Sequence, residues 1–424
     1  VSVSATRGLR VESVPLTVTP ELLNLLSVDS PLLWWRRGDG MVGIGVVETL
    51  SFSGKTRIKD AGATWREVAE AATVSDAVNV AGSGLMAFGT FAFRSTSETP
   101  SVLIIPRLVV GQRAGVTWLT RIGFADENAE PLTSESAQQI LAEHITASAQ
   151  LGAAPVVHLS PASLSEAGFT SAVNKAIERI DAGEVEKVVL ARELEGTLAG
   201  TQDLRVAITR LAESYPDCWT FSVDGLFGSS PETLITVHGR KVTARVLAGT
   251  ARRGSDTATD LSNAAELASS HKDLDEHGFA TRSVVNALTP YAEQLTVSDS
   301  PFTLKLPNLW HLATDIAGTL ASGSNSLDLV FALHPTAAVA GTPTVAAVEV
   351  IDDLEPFDRG RYAGPVGWIG ADGDGEWAIA LRCAQLTGST VTAYAGCGIV
   401  SDSIPANELV ETEMKFRPIV DALS

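Results

Sequence analysis

The chain has 424 residues, 45% of them apolar, and a formal net charge of −19. That length can bury a sizeable core and allows one large domain or two to three smaller ones, while the acidic balance argues against nucleic acid or an anionic membrane surface as a partner. Its three cysteines, Cys218, Cys383 and Cys397, form no Cys-x-x-Cys pair, which argues against a disulfide framework or a zinc site and fits a reducing cytoplasm.

The opening residues VSVSATRGLRVESVPLTVTP lack the apolar stretch of a signal peptide. No run approaches the ~18 apolar residues of a membrane span, so a soluble cytoplasmic protein is expected. Residues 1–155 alternate short β-like runs (MVGIGVVETL, LMAFGTFAF, SVLIIPRLVV, GVTWLTRIGF) with polar stretches, and GATWREVAEAATV and SESAQQILAEHITASAQL carry helical periodicity. Pro155 and HLSPASLSEAGF mark a junction. The expected organisation is an N-terminal α/β portion, 1–155, packing on a catalytic region, 156–424, in one continuous large domain.

Beyond the junction, FTSAVNKAIERIDAGE reads as a helix closed by Gly183, EKVVLARELEG as a strand and QDLRVAITRLAESYP as a second helix. A β meander follows over 218–250, with turns at Asp224-Gly225 and His238-Gly239. HKDLDEHGFATRSVVNAL reads as a long helix, SLDLVFALHP and TPTVAAVEVIDDLEP as shorter ones. A terminal β section over 364–400 precedes a last helix, PANELVETEMKF. The fold class read from this order is α+β, with a large and mostly antiparallel sheet system.

Two of these helices carry acidic pairs of equal spacing, Asp273-x-x-Glu276 and Glu408-x-x-Glu411. A spacing of three puts both carboxylates of a pair on one helical face. If the helices face each other, four acidic side chains converge and call for a hard divalent cation, most naturally Mg2+. Taken alone, either pair reads more readily as ordinary solvated carboxylates than as a functional site. Two decoys fall away. Asp372-Gly373-Asp374-Gly375 looks calcium-like but reads as a hairpin turn, because Glu376-Trp377 begins a strand. Gly43-x-Gly45 and Gly82-x-Gly84 lack the third glycine and following helix of a dinucleotide site.

Ten segments, in collinear order from about Phe169 to Pro418, resemble the chorismate-utilising enzymes. They are KVVLAR, SPETLITV, VLAGTARRG, HKDLDEH, WHL, LHPTAAVAGTP, GPVGWIG, IALRCAQ, AGCGIV and NELVETEMK. The resemblance implies stacked, mostly antiparallel sheets with helices enclosing a central active site. It implies Glu276 and Glu411 as magnesium ligands, with Asp273 and Glu408 as supporting carboxylates. Gly249 and Thr250 match a loop that meets the ring carboxylate. Arg382, Lys415 and the backbone at Gly396 and Gly398 match positions that hold the enolpyruvyl carboxylate. Cys397 stands where the family usually has alanine. His311 and His334 either help shape the ring pocket or are hydrogen-bonded structural histidines.

This set makes physical sense for chorismate, a dianion bound by an acidic protein that must build its own local positive field. Ala248 stands where aminodeoxychorismate synthases carry a lysine nucleophile. Lys187 stands where isochorismate and salicylate synthases carry lysine and anthranilate synthases glutamine. Water is therefore the expected nucleophile, with Lys187 as general base and Glu232, in Ser230-Pro231-Glu232, as general acid. A free lysine is almost wholly protonated at neutral pH, and a free glutamate almost wholly ionised. Both roles need an environment that reverses those preferences. The expectation is an Mg2+-dependent isochorismate synthase serving menaquinone or siderophore synthesis. Its alternatives are salicylate synthase, then anthranilate synthase component I, then an inactive regulatory relative. No obligatory protein partner is expected, and the chain is read as a monomer or weak homo-oligomer.

Overall fold

The computed structural model describes residues 8–127, 129–148, 151–200, 203–254, 256–305 and 309–424, without the side chains of 146–148, 250, 272, 276 and 309. Two antiparallel sheets diverge from a shared pair of long strands, Asp39–Phe52 and Ser101–Arg113. On one side the order continues through Leu32–Arg36, Trp219–Val223, Leu226–Ser230, Cys383–Thr387 and Thr390–Ile399 to Lys187–Thr197. On the other it runs through Met86–Thr90, Pro365–Gly370, Gly375–Ile379, Thr233–His238 and Lys241–Arg252 to Leu309–Leu320. Among the described residues, the pairing of Leu9–Pro15 with Thr73–Asp76 is the one parallel ladder. The α+β class with a mostly antiparallel sheet system is borne out.

The sheets enclose a core in which Trp34, Trp65, Trp118, Trp368 and Trp377 are all at most 1% exposed. Burying that much aromatic surface supplies a large share of the driving force for folding. Helices cover the outside: Pro405–Ala422 packs on Thr390–Ile399, and His271–Leu288 packs on Lys241–Arg252. The chain crosses between the two sheets after Ser230 and again after Ile379. These crossings place the site.

Some elements depart from the sequence reading. The helix assigned to GATWREVAEAATV spans Arg57–Ala71: it starts five residues earlier, and it ends before Thr73 because Thr73–Asp76 is drawn into the parallel ladder beside Leu9–Pro15. Thr257–Ser269 is a helix and Ala292–Val297, Phe302–Lys305 and Leu309–Leu320 are strands, none of which was assigned above. Asp372–Gly375 is the expected turn between two paired strands. Its Asp374 Oδ2 accepts a 2.6 Å hydrogen bond from the amide of Gly239 and so joins two turns.

Candidate active site

Glu232 and Arg382 lie on the two crossings, side by side. The amide of Ile379 donates to the carbonyl of Glu232 at 3.0 Å, and the amide of Ser229 donates to the carbonyl of Arg382 at 3.1 Å. The Ser230 hydroxyl donates to the Ile379 carbonyl at 2.6 Å and accepts from the Glu232 amide at 3.2 Å. Arg382 has φ 49°, in the left-handed region, which costs a non-glycine residue about 1–2 kcal/mol. It belongs to no strand. The fold holds a strained arginine where the chain changes sheets, a pattern that accompanies function.

Around the Glu232 carboxyl stand three cations, Lys187, Arg382 and Lys415. Part of Glu232 is accessible, yet its carboxyl is walled in. Burial pushes it above the ordinary carboxylate range, and the three positive charges only partly oppose that rise. A carboxyl that retains its proton among cations can donate it, and the cations can take a dianion.

Lys187 opens the strand Lys187–Thr197, whose neighbours are fixed by a buried ion pair. Glu355 accepts from the Ala191 amide at 2.7 Å and from Arg359 at 2.6 and 2.8 Å. Arg359 in turn donates to the Val189 and Val339 carbonyls at 2.7 and 2.9 Å. Gly398, on the adjacent strand, leaves room for the Lys187 side chain: a Cβ there would stand 2.7 Å from Lys187 Cε. Gly396 sits under Leu190 and Tyr362, with its carbonyl accepting from Lys415 Nζ at 2.7 Å. Cys397 between them is buried, its thiol raised by that burial and directed at the Glu408 carbonyl, 3.7 Å away.

The C-terminal helix presents Glu408, Glu411 and Lys415 on one face and buries Thr412, Phe416 and Ile419 on the other. Arg192 anchors it, donating from Nε to Thr412 Oγ1 at 2.9 Å. Lys415 Nζ lies 2.6 Å from Glu411 Oε1. Burial holds the Glu408 carboxyl above its usual range and the neighbouring Glu411 charge adds to that rise, opposed by hydrogen bonds from Ser403 and Cys397. Facing the other sheet, Asp273 sits in the first turn of His271–Leu288, capped by Ser270. A Cβ on Gly249 would come within 3.3 Å of Asp273 Cβ.

Gly249 has φ 79° at a bulge in the ladder between Lys241–Arg252 and Leu309–Leu320, a conformation that favours glycine. Its carbonyl lies 3.3 Å from His311 Nδ1. Burial depresses the His311 pKa, and the Lys187 charge adds to that effect, so the ends of the two sheets meet here. His277, which was not singled out from the sequence, is 2% exposed. Its Nδ1 lies 3.0 Å from the Ala248 carbonyl and its Nε2 2.6 Å from Thr314 Oγ1, fastening the helix to the bulge. His334 is a structural histidine: Nε2 meets the Phe93 carbonyl at 3.0 Å and the ring packs edge-on to Phe93, with burial pushing its pKa down to about 3.

Lys187, Glu232, Arg382 and Lys415 are thus brought together, as are Glu408 with Glu411, and Gly249 with His311 and Asp273. The side chains of Thr250 and Glu276 lie outside the described residues. Among the described residues no three of His, Cys, Asp and Glu converge as a metal cluster. No helix among the described residues is long and apolar enough to cross a membrane. Sequence reasoning missed Tyr362, stacked on Tyr394 at 5.2 Å beneath Gly396, and the Glu355–Arg359 pair. Their only sequence signal is an acidic and a basic residue four apart, which alone indicates nothing about a site.

Comparison with known proteins now fixes the family. The profile described as chorismate binding enzyme matches residues 19–424. The chain belongs to the chorismate binding enzymes. Isochorismate synthase DhbC of Bacillus subtilis is 38% identical over 278 residues, which cover 63% of this chain and 70% of that protein. Isochorismate synthase EntC of Escherichia coli is 38% identical over 258 residues, covering 60% and 66%. The solved structure of MenF, the menaquinone-specific isochorismate synthase from Escherichia coli, superposes with a TM-score of 0.75 at 26% identity, covering 99% of this chain and 95% of that one. Anthranilate synthase component I from Streptococcus pneumoniae, at 20% identity and a TM-score of 0.71, shares the fold of this chorismate binding enzyme, with 95% of this chain and 94% of that one covered. The resemblance drawn from the ten segments is borne out.

Proposed function

We propose that this chorismate binding enzyme converts chorismate to isochorismate by water addition at C2 and loss of the C4 hydroxyl. The observation that carries the reading is Glu232, a carboxyl raised by burial while three cations surround it. Lys187 takes a proton from water as its oxygen bonds to C2. The ring double bonds shift, the C4–O bond breaks, and Glu232 gives its proton to the departing hydroxide, releasing water. Return of the proton from Lys187 to Glu232 through solvent restores the enzyme, so the net change is an isomerisation. Arg382 supplies a planar fork for one substrate carboxylate and Lys415 a point charge, offsetting an overall charge of −19. The isochorismate synthase names of the relatives support this assignment.

The acidic helix faces fit a hard divalent cation such as Mg2+. Glu408 is held above its usual range by burial and by Glu411, a like-charge pair with Lys415 beside it. Glu411 and Glu276 would hold the ion, with Glu408 and Asp273 in support. When bound, the ion supplies positive charge that fixes a substrate carboxylate. Menaquinone or siderophore synthesis would draw on the product. The assay is purified protein with chorismate and Mg2+, products separated by chromatography and weighed. A product of unchanged mass and new retention is expected; salicylate with pyruvate, or no turnover, would overturn the reading.

A further inference from the structure

Asp260 lies outside every role given above, yet its carboxylate gathers groups from three other segments. It stands in the helix Thr257–Ser269 and is 6% exposed. Oδ1 accepts from Arg253 Nε at 2.6 Å, from the Gly254 amide at 3.0 Å and from Trp310 Nε1 at 2.9 Å. Oδ2 accepts from Arg253 Nη2 at 2.7 Å, and Lys305 Nζ lies 3.7 Å away. The Trp310 ring is flanked by the same two cations, with Arg253 5.5 Å and Lys305 5.7 Å from its centre. Trp310 packs with Ala264, Leu267 and Leu312 in a small apolar cluster separate from the main core. Asp260 is the acceptor common to this group, and the Arg253 guanidinium holds its carboxyl well below the usual range.

What the clamp closes is the site end of one ladder. Ala251 pairs with Trp310 and Thr250 with His311, next to the bulge that carries Gly249. Gripping Gly254 and Trp310 pins the ladder five residues from Gly249 on one side and one residue from His311 on the other. The helix bearing Asp260 also leads directly into Ser270, the cap of the Asp273 helix. We propose that Asp260 is a positioning residue, setting the Gly249–His311 side of the pocket by clamping Arg253, Gly254 and Trp310. This rests on the function proposed above for the same pocket.

The test compares wild type with Asp260→Asn, Trp310→Phe and Arg245→Ala in the full chain. The last breaks an exposed ion pair to Asp315 on the same ladder, away from the bulge. Amide exchange, which needs no substrate, reads the clamp itself: D260N should speed exchange over 248–252 and 310–313 and leave 241–246 unchanged. With chorismate, D260N should lower kcat/KM by about 10- to 100-fold, chiefly through KM, and W310F in the same direction by less. R245A should stay within about twofold of wild type. Unchanged exchange in D260N, unchanged KM in both D260N and W310F, or an equal loss in R245A would overturn the proposal. Turnover absent in wild type with the exchange pattern as expected would instead overturn the reaction and leave the clamp standing.

Discussion

Burial raises the Glu232 carboxyl above its ordinary range because of where the chain changes sheets. The residue follows Ser230-Pro231, its amide and carbonyl are tied to Ser230 and Ile379, and its carboxyl is left among cations in a site that hydrates it poorly. Its pKa is raised above the unfolded value, so the folded state loses stability as pH rises from the ordinary carboxylate range through the raised value. Above that window, glutamine removes a buried negative charge without changing shape. Glu232→Gln is therefore expected to unfold at pH 8 at a temperature no lower than wild type, while turnover falls by about 10²- to 10⁴-fold. Calorimetry beside the product assay checks both; a variant less stable at pH 8, or one still active, contradicts the assignment. The sequence already pointed to this residue and to its need for a raised pKa. It did not reveal the cause, because the groups around Glu232 come from positions 187, 382 and 415.

The strand pair Lys187–Thr197 and Thr390–Ile399 shows a glycine chosen for its neighbour. A Cβ on Gly398 would lie 2.7 Å from Lys187 Cε and 3.5 Å from Nζ, atoms at the far end of a flexible side chain. Gly341 differs, since a Cβ there would meet the Lys187 carbonyl at 2.2 Å in a backbone with φ 134°. Gly398→Ala should thus fold normally and displace the amine. Turnover is expected to fall about 100-fold, the scale of an ångström misplacement, with Tm within a few degrees of wild type; near-normal turnover would remove Gly398 from this role. Elements with strong periodicity, such as Glu166–Asp181 and Pro405–Ala422, were legible in sequence. The helix Thr257–Ser269 was not: its run of small residues buries only Asp260, Ala264 and Leu267. The strands between 292 and 320 escaped for another reason. Their ladder with Lys241–Arg252 is long-range, and LATDIAGTL carries little of the alternation that marks a half-buried strand.

At the scale of the molecule, an acidic chain gathers Lys187, Arg382 and Lys415 around Glu232 and carries other buried charge in closed networks. Glu376 is the clearest case. It accepts from Trp34 and Trp368 at 2.8 and 3.0 Å and from Arg113 at 3.0 and 3.1 Å. His238 Nε2 lies 2.9 Å from the same carboxylate. The network ties strands before residue 155 to strands after it. Its partners hold Glu376 well below the usual carboxylate range despite burial, so its stabilisation is present at neutral pH and is lost as pH falls through that depressed value. Glu376→Gln strands the Arg113 charge and should cost about 3–5 kcal/mol in urea unfolding at pH 7. A loss below about 1 kcal/mol, the scale of an exposed pair, would contradict that account.

The central claim is that water adds to the ring while the original hydroxyl leaves. Turnover of chorismate in H₂¹⁸O measures this directly, with product analysed by mass spectrometry at short times. The account predicts isochorismate heavier by one ¹⁸O, with the label on the C2 oxygen and unreacted chorismate unlabelled. Unlabelled isochorismate, formed by migration of the substrate's own hydroxyl, would contradict it.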